Sequence, residues 1–187
     1  MSTPQELIKG NEKYAATFSK GDLPMPPSKK LIVGMFKSPF RHALSASWIA
    51  HLVTCMDARL DPAASLGIDL GEAHIIRNGG GRTEDAIRSI VISQRLLGTR
   101  EIAVFHHTDC GMTTFTTQDL QTKIVDEDGP EAASLVNEID FLEFSKLEES
   151  VKHDVKYLQS HPLVLKGTPI TGWIYHVENG KVTQVVQ

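Results

Sequence analysis

The sequence predicts an α/β protein with a central, mainly parallel β-sheet flanked by helices. Three segments, residues 50–58, 73–78 and 101–108, are short, apolar and strand-like. The segment between the second and the third, "TEDAIRSIVISQRLLG" (83–98), has apolar residues at helical spacing, with Thr83 as the predicted N-cap and two acidic residues after it. Strands that alternate with helices favour parallel pairing through right-handed crossovers.

The N-terminal part of the chain is predicted to be an arm. The pattern of residues 3–18 predicts a helix, so we expect a helical arm over about residues 1–20. Three prolines and a glycine make residues 20–30 an extended connector. The apolar and basic residues 31–50 are an apparent insertion, with a lid and an interface element among its open roles. The whole chain, 1–187, is predicted to be a single α/β domain.

Two short motifs lie on either side of the second predicted strand. Asp61 and Pro62 are expected to cap and begin a short helix. The second strand is closed by "GGGR" (79–82), for which two interpretations stay open. The glycines either let the backbone approach the functional site closely or form a simple tight turn.

The C-terminal third contains three predicted features. Residues 123–134 are interpreted as a surface loop, and residues 147–161 are predicted to form a helix. Residues 171–186 alternate between apolar and polar around Asn179-Gly180, which predicts a β-hairpin with a two-residue turn.

Composition excludes several classes of protein. The 187 residues carry a formal net charge of −4 with both signs interspersed, so no basic stripe indicates nucleic acid. The longest apolar runs are too short to span a bilayer, and the first residues lack the apolar core of a secretory signal. We therefore expect no membrane partner and a cytoplasmic location, with an organelle as the alternative.

The two cysteines of the chain fall at the ends of predicted strands. Cys55 lies near the end of the first strand, while His107 and Cys110 lie at and beyond the end of the third. Because ligands gather at the carboxyl ends of parallel strands, one shared site is expected. Two thiolates and one imidazole suit Zn²⁺, and three protein ligands leave a fourth position open, as in catalytic zinc sites. The alternative is that each cysteine is a small buried hydrophobe.

Asp57 and Arg59 follow Cys55 at i+2 and i+4. In an extended segment they would share a face with Cys55. An aspartate beside an arginine stays ionised, so Asp57 is a candidate to accept a proton from metal-bound water or to orient that water. A plain surface ion pair is the alternative.

These residues resemble a known family. "CMDARLD" followed by "HHTDCGM" is similar to the zinc motif C-x-D-x-R…H-x-x-C of the β-class carbonic anhydrases, and the similarity covers about residues 52–113. The resemblance is nearest to the short bacterial and fungal branch and implies a β-carbonic-anhydrase-like fold. It implies one zinc per chain, bound by Cys55, His107 and Cys110, with Asp57 and Arg59 as the catalytic dyad. His106 has no ligand role in the motif and is interpreted as an ordinary strand residue.

The resemblance also implies an activity and a partner. In this family a zinc-bound hydroxide attacks CO₂ and gives bicarbonate, and the pocket lies at a dimer interface that the N-terminal helix crosses. A homodimer or a tetramer is therefore expected. The same branch resembles carbonyl sulfide and carbon disulfide hydrolases, which release H₂S, so COS or CS₂ is the alternative substrate. The substrate-binding glutamine of many plant-like members has no counterpart, because only Gln5 precedes Cys55. A non-catalytic zinc protein or a redox pair of cysteines is the third possibility.

Overall fold

The structure is a computed structural model, and it describes residues 4–27 and 50–187. The apparent insertion at residues 31–50 lies outside the described residues, apart from the backbone of Ala50. Within the described ranges, no helix combines the length and the apolar character that crossing a membrane requires.

A five-stranded sheet forms the centre of the molecule, in the order β2-β1-β3-β4-β5. Four strands are parallel, and β5 pairs antiparallel with β4. The predicted fold class, a mainly parallel sheet flanked by helices, is confirmed. The strands are β1 (Ala50–Cys55), β2 (His74–Asn78), β3 (Glu101–His107), β4 (Ile170–Tyr175) and β5 (Val182–Val186).

Six α-helices accompany the sheet in the described part of the chain. They are α1 (Pro4–Ala15), α2 (Pro62–Leu66), α3 (Thr83–Leu96), α4 (Thr117–Asp128), α5 (Ala133–Val136) and α6 (Leu147–Ser160). Three short 3₁₀ turns lie between them, at Gly79–Gly81, Gly111–Thr113 and Pro130–Ala132. The short helix α2 begins as expected, since the Asp61 side chain accepts a hydrogen bond from the Ala64 N–H at 3.1 Å.

The core lies on both faces of the sheet because successive strand residues point to opposite sides. Val53 and Val104 belong to the cluster that α3 and α6 cover, and Leu52 and Phe105 belong to the cluster on the other face. The Phe105 ring stacks on Trp173 with the centroids 5.7 Å apart. This double burial explains why β1 and β3 are nearly continuous apolar runs.

Two local predictions are wrong. Thr83 does not cap α3, because Arg82 is the N-cap residue and the Thr83 N–H donates instead to the Asp154 carboxylate of α6, at 3.0 Å. The predicted loop at residues 123–134 is largely helical, since α4 continues to Asp128 and a 3₁₀ turn and α5 follow. A capping box between Thr116 and Asp119 begins α4, which then continues into the predicted loop.

The C-terminal hairpin has the predicted strands but a longer turn. His176 and Lys181 form the last backbone pair, with a 2.8 Å bond from the His176 N–H to the Lys181 carbonyl. Four residues therefore make the loop, and Asn179 and Gly180 are its last two. Gly180 has φ +71°, which agrees with a glycine at this position.

Candidate metal centre

The three predicted ligands come together at the carboxyl edge of the sheet. Cys55 is the last residue of β1, His107 is the last residue of β3, and Cys110 lies in the turn that follows. Their sulfur and ring-nitrogen ligand atoms all lie within 4.8 Å of one another, and all three residues are buried. Two sequence stretches more than fifty residues apart thus form one group.

The His107 ring is oriented so that one nitrogen is left for a ligand. Its Nδ1 lies 2.9 Å from the carbonyl oxygen of Thr108, so the Nδ1–H donates to that carbonyl. The other nitrogen, Nε2, is buried and has no hydrogen-bond partner among residues 4–27 and 50–187. An imidazole held by a backbone carbonyl through one nitrogen carries its lone pair on the other, which is the arrangement of a metal-binding histidine.

The two thiols share a proton and stabilise one thiolate. The hydrogen bond from Cys110 lowers the pKa of Cys55 to about 4, against the opposing effect of burial. The same contact and burial raise the pKa of Cys110. Backbone N–H groups of Asp57 and Gly80 also donate to the Cys55 sulfur. A metal that binds here displaces the remaining proton, because thiolates are the ligating form.

The glycine turn between β2 and α3 approaches the site closely, which confirms that interpretation over a simple tight turn. Gly81 has φ +72°, and a Cβ on it would lie 2.8 Å from the Thr54 carbonyl carbon and 2.9 Å from the Cys55 nitrogen. No side chain fits in this space. The absence of a side chain lets the turn rest on the end of β1, where Gly80 reaches the sulfur.

Asp57 and Arg59 meet in a turn. The expectation of an extended segment is wrong, since β1 ends at Cys55 and the Leu60 N–H closes a turn onto the Asp57 carbonyl at 3.0 Å. The Arg59 guanidinium binds both Asp57 oxygens, with Nε 3.0 Å from Oδ1 and Nη2 2.8 Å from Oδ2. These hydrogen bonds hold the pKa of Asp57 well below its usual range, so the carboxylate is ionised. Asp57 Oδ2 lies 3.9 Å from His107 Nε2.

Asp109 is a site residue that the sequence argument missed. Arg59 donates to its carboxylate at 2.7 Å and to its backbone carbonyl at 2.9 Å, so one guanidinium joins the turns after β1 and β3. Asp109 has φ +54°, a conformation that aspartate tolerates better than most residues. Its only signal in the sequence is its place beside Cys110.

Arg77 was also missed. It lies on β2 beside Thr54, and its guanidinium donates to the Cys55 carbonyl at 3.0 Å and to the Asp57 carbonyl at 2.7 Å. These bonds satisfy two carbonyls of the turn that carries the dyad. No spacing rule marks such a residue, because its partners are backbone atoms of a neighbouring strand.

The immediate surroundings of the cysteines are apolar. Leu60 is buried with them, and four partly buried side chains pack against the group: Met112, Phe144, Tyr175 and Val177. His106 is outside the ligand group; its Nε2 lies 3.3 Å from Asp154 and its ring stacks on Phe144 at 5.2 Å. Water is thus restricted on the apolar side, whereas Asp57 and Arg59 form the polar side.

The arrangement defines a class of protein: a mainly parallel α/β sheet with a soft, three-ligand metal site beside a carboxylate–arginine pair. The family model for carbonic anhydrase matches residues 50–182. "Beta-carbonic anhydrase 1" of Mycobacterium tuberculosis is 40% identical over 192 residues, which cover 99% of each chain. The solved structure of a carbonic anhydrase from Glaciozyma antarctica covers 100% of both chains, with 44% identity and a TM-score of 0.86.

The chain therefore belongs to the β-carbonic anhydrase family. It is also similar to the carbon disulfide hydrolase of Saccharolobus solfataricus, with 33% identity over 202 residues that cover 95% of this chain and 86% of that protein. Zinc is the metal of the β-carbonic anhydrases, and the Cys55–His107–Cys110 group has the donor set that zinc takes.

Proposed function

We propose that this protein catalyses the reversible hydration of CO₂ to bicarbonate and a proton, with one zinc per chain held by Cys55, His107 and Cys110. The observation that carries the proposal is the donor set itself: two buried sulfurs and an imidazole nitrogen without a hydrogen-bond partner, within 4.8 Å of one another. Zinc in such a site supplies Lewis-acid activation of water, which provides a nucleophile near neutral pH.

Asp57 is the proposed acceptor beside the reacting water. Its carboxylate is ionised and lies close to His107 Nε2, so it can accept a hydrogen bond and hold a lone pair of the water oxygen toward the substrate carbon. Arg59 is the proposed partner that keeps Asp57 in this place. Because both Asp57 oxygens are bound by Arg59, the carboxylate is restrained from turning onto the metal and closing the site.

Hydrolysis of COS or CS₂ is the second candidate function. COS and water would give CO₂ and H₂S, and CS₂ with two waters would give CO₂ and two H₂S. The similarity to a carbon disulfide hydrolase and the apolar packing around the cysteines favour it. Sulfur is a weaker hydrogen-bond acceptor than oxygen, so a dry, apolar wall suits it. We rank CO₂ first because the more similar relatives are named carbonic anhydrases and cover the whole chain.

A side-by-side assay separates the two functions. Stopped-flow CO₂ hydration and H₂S release from COS and CS₂ are measured on one zinc-loaded sample, with Asp57→Asn as the matched inactive variant. We expect kcat/KM for CO₂ to exceed the values for both sulfur substrates. The reverse order would make the protein a hydrolase of COS or CS₂. Activity on none of the three, with zinc bound, would contradict both functions.

We further propose that α1 is an arm that packs on a second copy of the chain. Every described residue of α1 is exposed to solvent. Its apolar side chains have no cover within the described chain: Leu7 is 65% exposed and Ile8 is 60% exposed. Apolar surface of this kind marks an interaction site. A second copy is favoured because the family resemblance places the N-terminal helix across a dimer interface.

Analytical ultracentrifugation tests the arm. We expect the wild-type protein to sediment as a dimer or a tetramer, and Leu7→Glu with Ile8→Glu to shift it toward the monomer. Leu135→Glu, at a residue that is 71% exposed and far from α1 in sequence, is the matched control and should leave the assembly intact. A monomeric wild-type protein would contradict the proposal.

The cytoplasmic location stays a prediction.

A further inference from the structure

A buried carboxylate in α6 connects the start of α3, directly after the glycine turn, with the end of β3. Asp154 is 0% exposed and accepts hydrogen bonds from donors on two other elements. The Arg82 Nε lies 3.1 Å from both of its oxygens, and the Thr83 N–H lies 3.0 Å from Oδ2. His106 Nε2 lies 3.3 Å from the same Oδ2. Asp154 does not belong to the ligand group.

The carboxylate is ionised in spite of its burial. Desolvation opposes ionisation, but the hydrogen bond from His106 and the charge of Arg82 outweigh it and lower the pKa of Asp154. The Arg82 guanidinium and the Thr83 N–H can only donate hydrogen bonds, so they match a carboxylate, which only accepts them. Arg82 is fixed further by a hydrogen bond to the Leu142 carbonyl and by the Phe144 ring, whose centroid is 5.8 Å from the guanidinium carbon.

The residues that bond Asp154 lie close to two of the predicted metal ligands. Arg82 and Thr83 follow the glycine turn, in which Gly80 donates its N–H to the Cys55 sulfur. His106 precedes His107 on β3. One side chain, more than forty residues away from either ligand in sequence, therefore restrains the backbone beside Cys55 and the backbone beside His107.

We propose that Asp154 is a positioning residue of the metal centre, which keeps the Gly80 N–H directed at the Cys55 sulfur and the end of β3 in place for His107. The inference rests on the proposed metal site. A hydrogen bond to a ligating thiolate draws electron density from the sulfur, so the bound metal becomes a stronger Lewis acid. Asp154 then affects the chemistry without touching metal or substrate.

Asp154→Asn tests the inference. The amide keeps the size of the side chain but replaces one acceptor oxygen with a donor that faces the donors of Arg82, Thr83 or His106. We expect the glycine turn to loosen and zinc affinity, measured by chelator competition, to fall about 10–100-fold. In the Co²⁺-substituted protein, the thiolate-to-cobalt charge-transfer band should shift, and the midpoint of the pH–rate profile should rise.

A matched control separates positioning from simple stability. Thr99 is also 0% exposed and bonds His51 at 2.6 Å and Ser93 at 3.1 Å, at the opposite end of the sheet. Thr99→Val should lower Tm as Asp154→Asn does, but it should leave zinc affinity, the cobalt band and the pH midpoint unchanged. Arg82→Lys, which keeps the charge but loses the planar fork, should move the same readouts in the same direction by less.

The outcomes are distinct. Wild-type zinc affinity and an unchanged cobalt band in both Asp154→Asn and Arg82→Lys, together with a lowered Tm, would show that the network only stabilises the fold. If Asp154→Asn does not fold, Arg82→Lys alone decides. A wild-type protein that binds neither zinc nor cobalt would overturn the metal centre and this inference together, whereas metal binding without activity would overturn only the proposed function.

Discussion

The two ends of the sheet both bury histidines, but they use them differently. At the amino end, His51 and His74 are joined by hydroxyl groups, with His51 Nε2 2.6 Å from the Thr99 hydroxyl and His74 hydrogen-bonded to Ser93. At the carboxyl end, His107 faces two thiols and a carboxylate. At the amino end the histidines belong to a chain of hydrogen bonds between strands and the segments beside them, whereas at the carboxyl end the histidine belongs to a group of potential metal ligands.

An unpaired imidazole nitrogen does not by itself distinguish the two ends. Among the described residues, His51 Nδ1 lacks a hydrogen-bond partner just as His107 Nε2 does. What differs is the neighbouring donor set, because only the carboxyl end places two sulfurs within 4.8 Å of an imidazole nitrogen in the described part of the chain. A metal site is therefore recognised by converging ligands rather than by a single free nitrogen.

The largest expected effect is the loss of a sulfur ligand. Cys110→Ser should reduce bound zinc from about one per chain to a small fraction, because an alcohol is a far poorer ligand for zinc than a thiolate. Elemental analysis of purified protein measures it. Ser93→Ala, which breaks the chain of hydrogen bonds at the amino end, should keep its zinc. Full zinc retention in Cys110→Ser would remove Cys110 from the site.

The second prediction distinguishes the metal ligands from the Asp57–Arg59 pair, whose substitution should lower activity without loss of zinc. Asp57→Asn should keep the zinc but lower kcat by about 10²–10⁴-fold, because a neutral amide accepts a hydrogen bond or proton poorly. Arg59→Ala should also lower activity, since it releases Asp57 and frees it to turn onto the metal. Unchanged stopped-flow rates in both variants would reduce the dyad to a structural ion pair.

The third prediction compares the stability cost of the same substitution at two glycines that both have positive φ, Gly67 and Gly81. Gly67 has φ +65° and open space around its Cα, so Gly67→Ala should lower the free energy of unfolding by only about 1–2 kcal/mol. Gly81→Ala should cost clearly more and should weaken zinc binding, because its Cβ would meet the backbone of Thr54 and Cys55. Denaturant unfolding and chelator competition measure both changes. Equal costs would contradict the close approach of the glycine turn.

The smallest effect is a pH dependence that belongs to the amino end. Burial, with repulsion from His74, lowers the pKa of His51 to about 3, below its ordinary value of 6.5. Between these values the unfolded chain binds more protons, so His51 favours folding above pH 6.5 and this contribution is lost on acidification. The loss amounts to at most about 1.4 kcal/mol per pH unit. The stability difference between wild type and His51→Gln should therefore shrink from pH 7 to pH 5. A constant difference would contradict the assignment.

The sequence predicts what depends on local pattern. β1, β2 and β3 follow from short apolar runs, β4 and β5 follow from alternating apolar and polar residues, and α3 follows from helical spacing. The predicted ligands converge because chain order places them after β1 and β3, whose carboxyl ends lie side by side.

Contacts between distant segments escape such prediction. The donor of Thr83 is satisfied by Asp154, 71 residues later, and Arg59 binds Asp109 across 50 residues. Neither pairing leaves a spacing in the sequence, since packing of α6 and of the two turns decides it. The predicted length of the hairpin turn was wrong for a local reason. Asn179-Gly180 fits the last two positions of a four-residue loop as well as it fits a two-residue turn.

Zinc K-edge X-ray absorption on the purified wild-type protein tests the central claim most directly. The account predicts two sulfur neighbours at about 2.3 Å and nitrogen or oxygen neighbours at about 2.0–2.1 Å for each zinc. Cys110→Ser should lose one sulfur from this shell if any zinc remains. A shell without sulfur, or one with four sulfurs, would contradict a centre built from Cys55, His107 and Cys110.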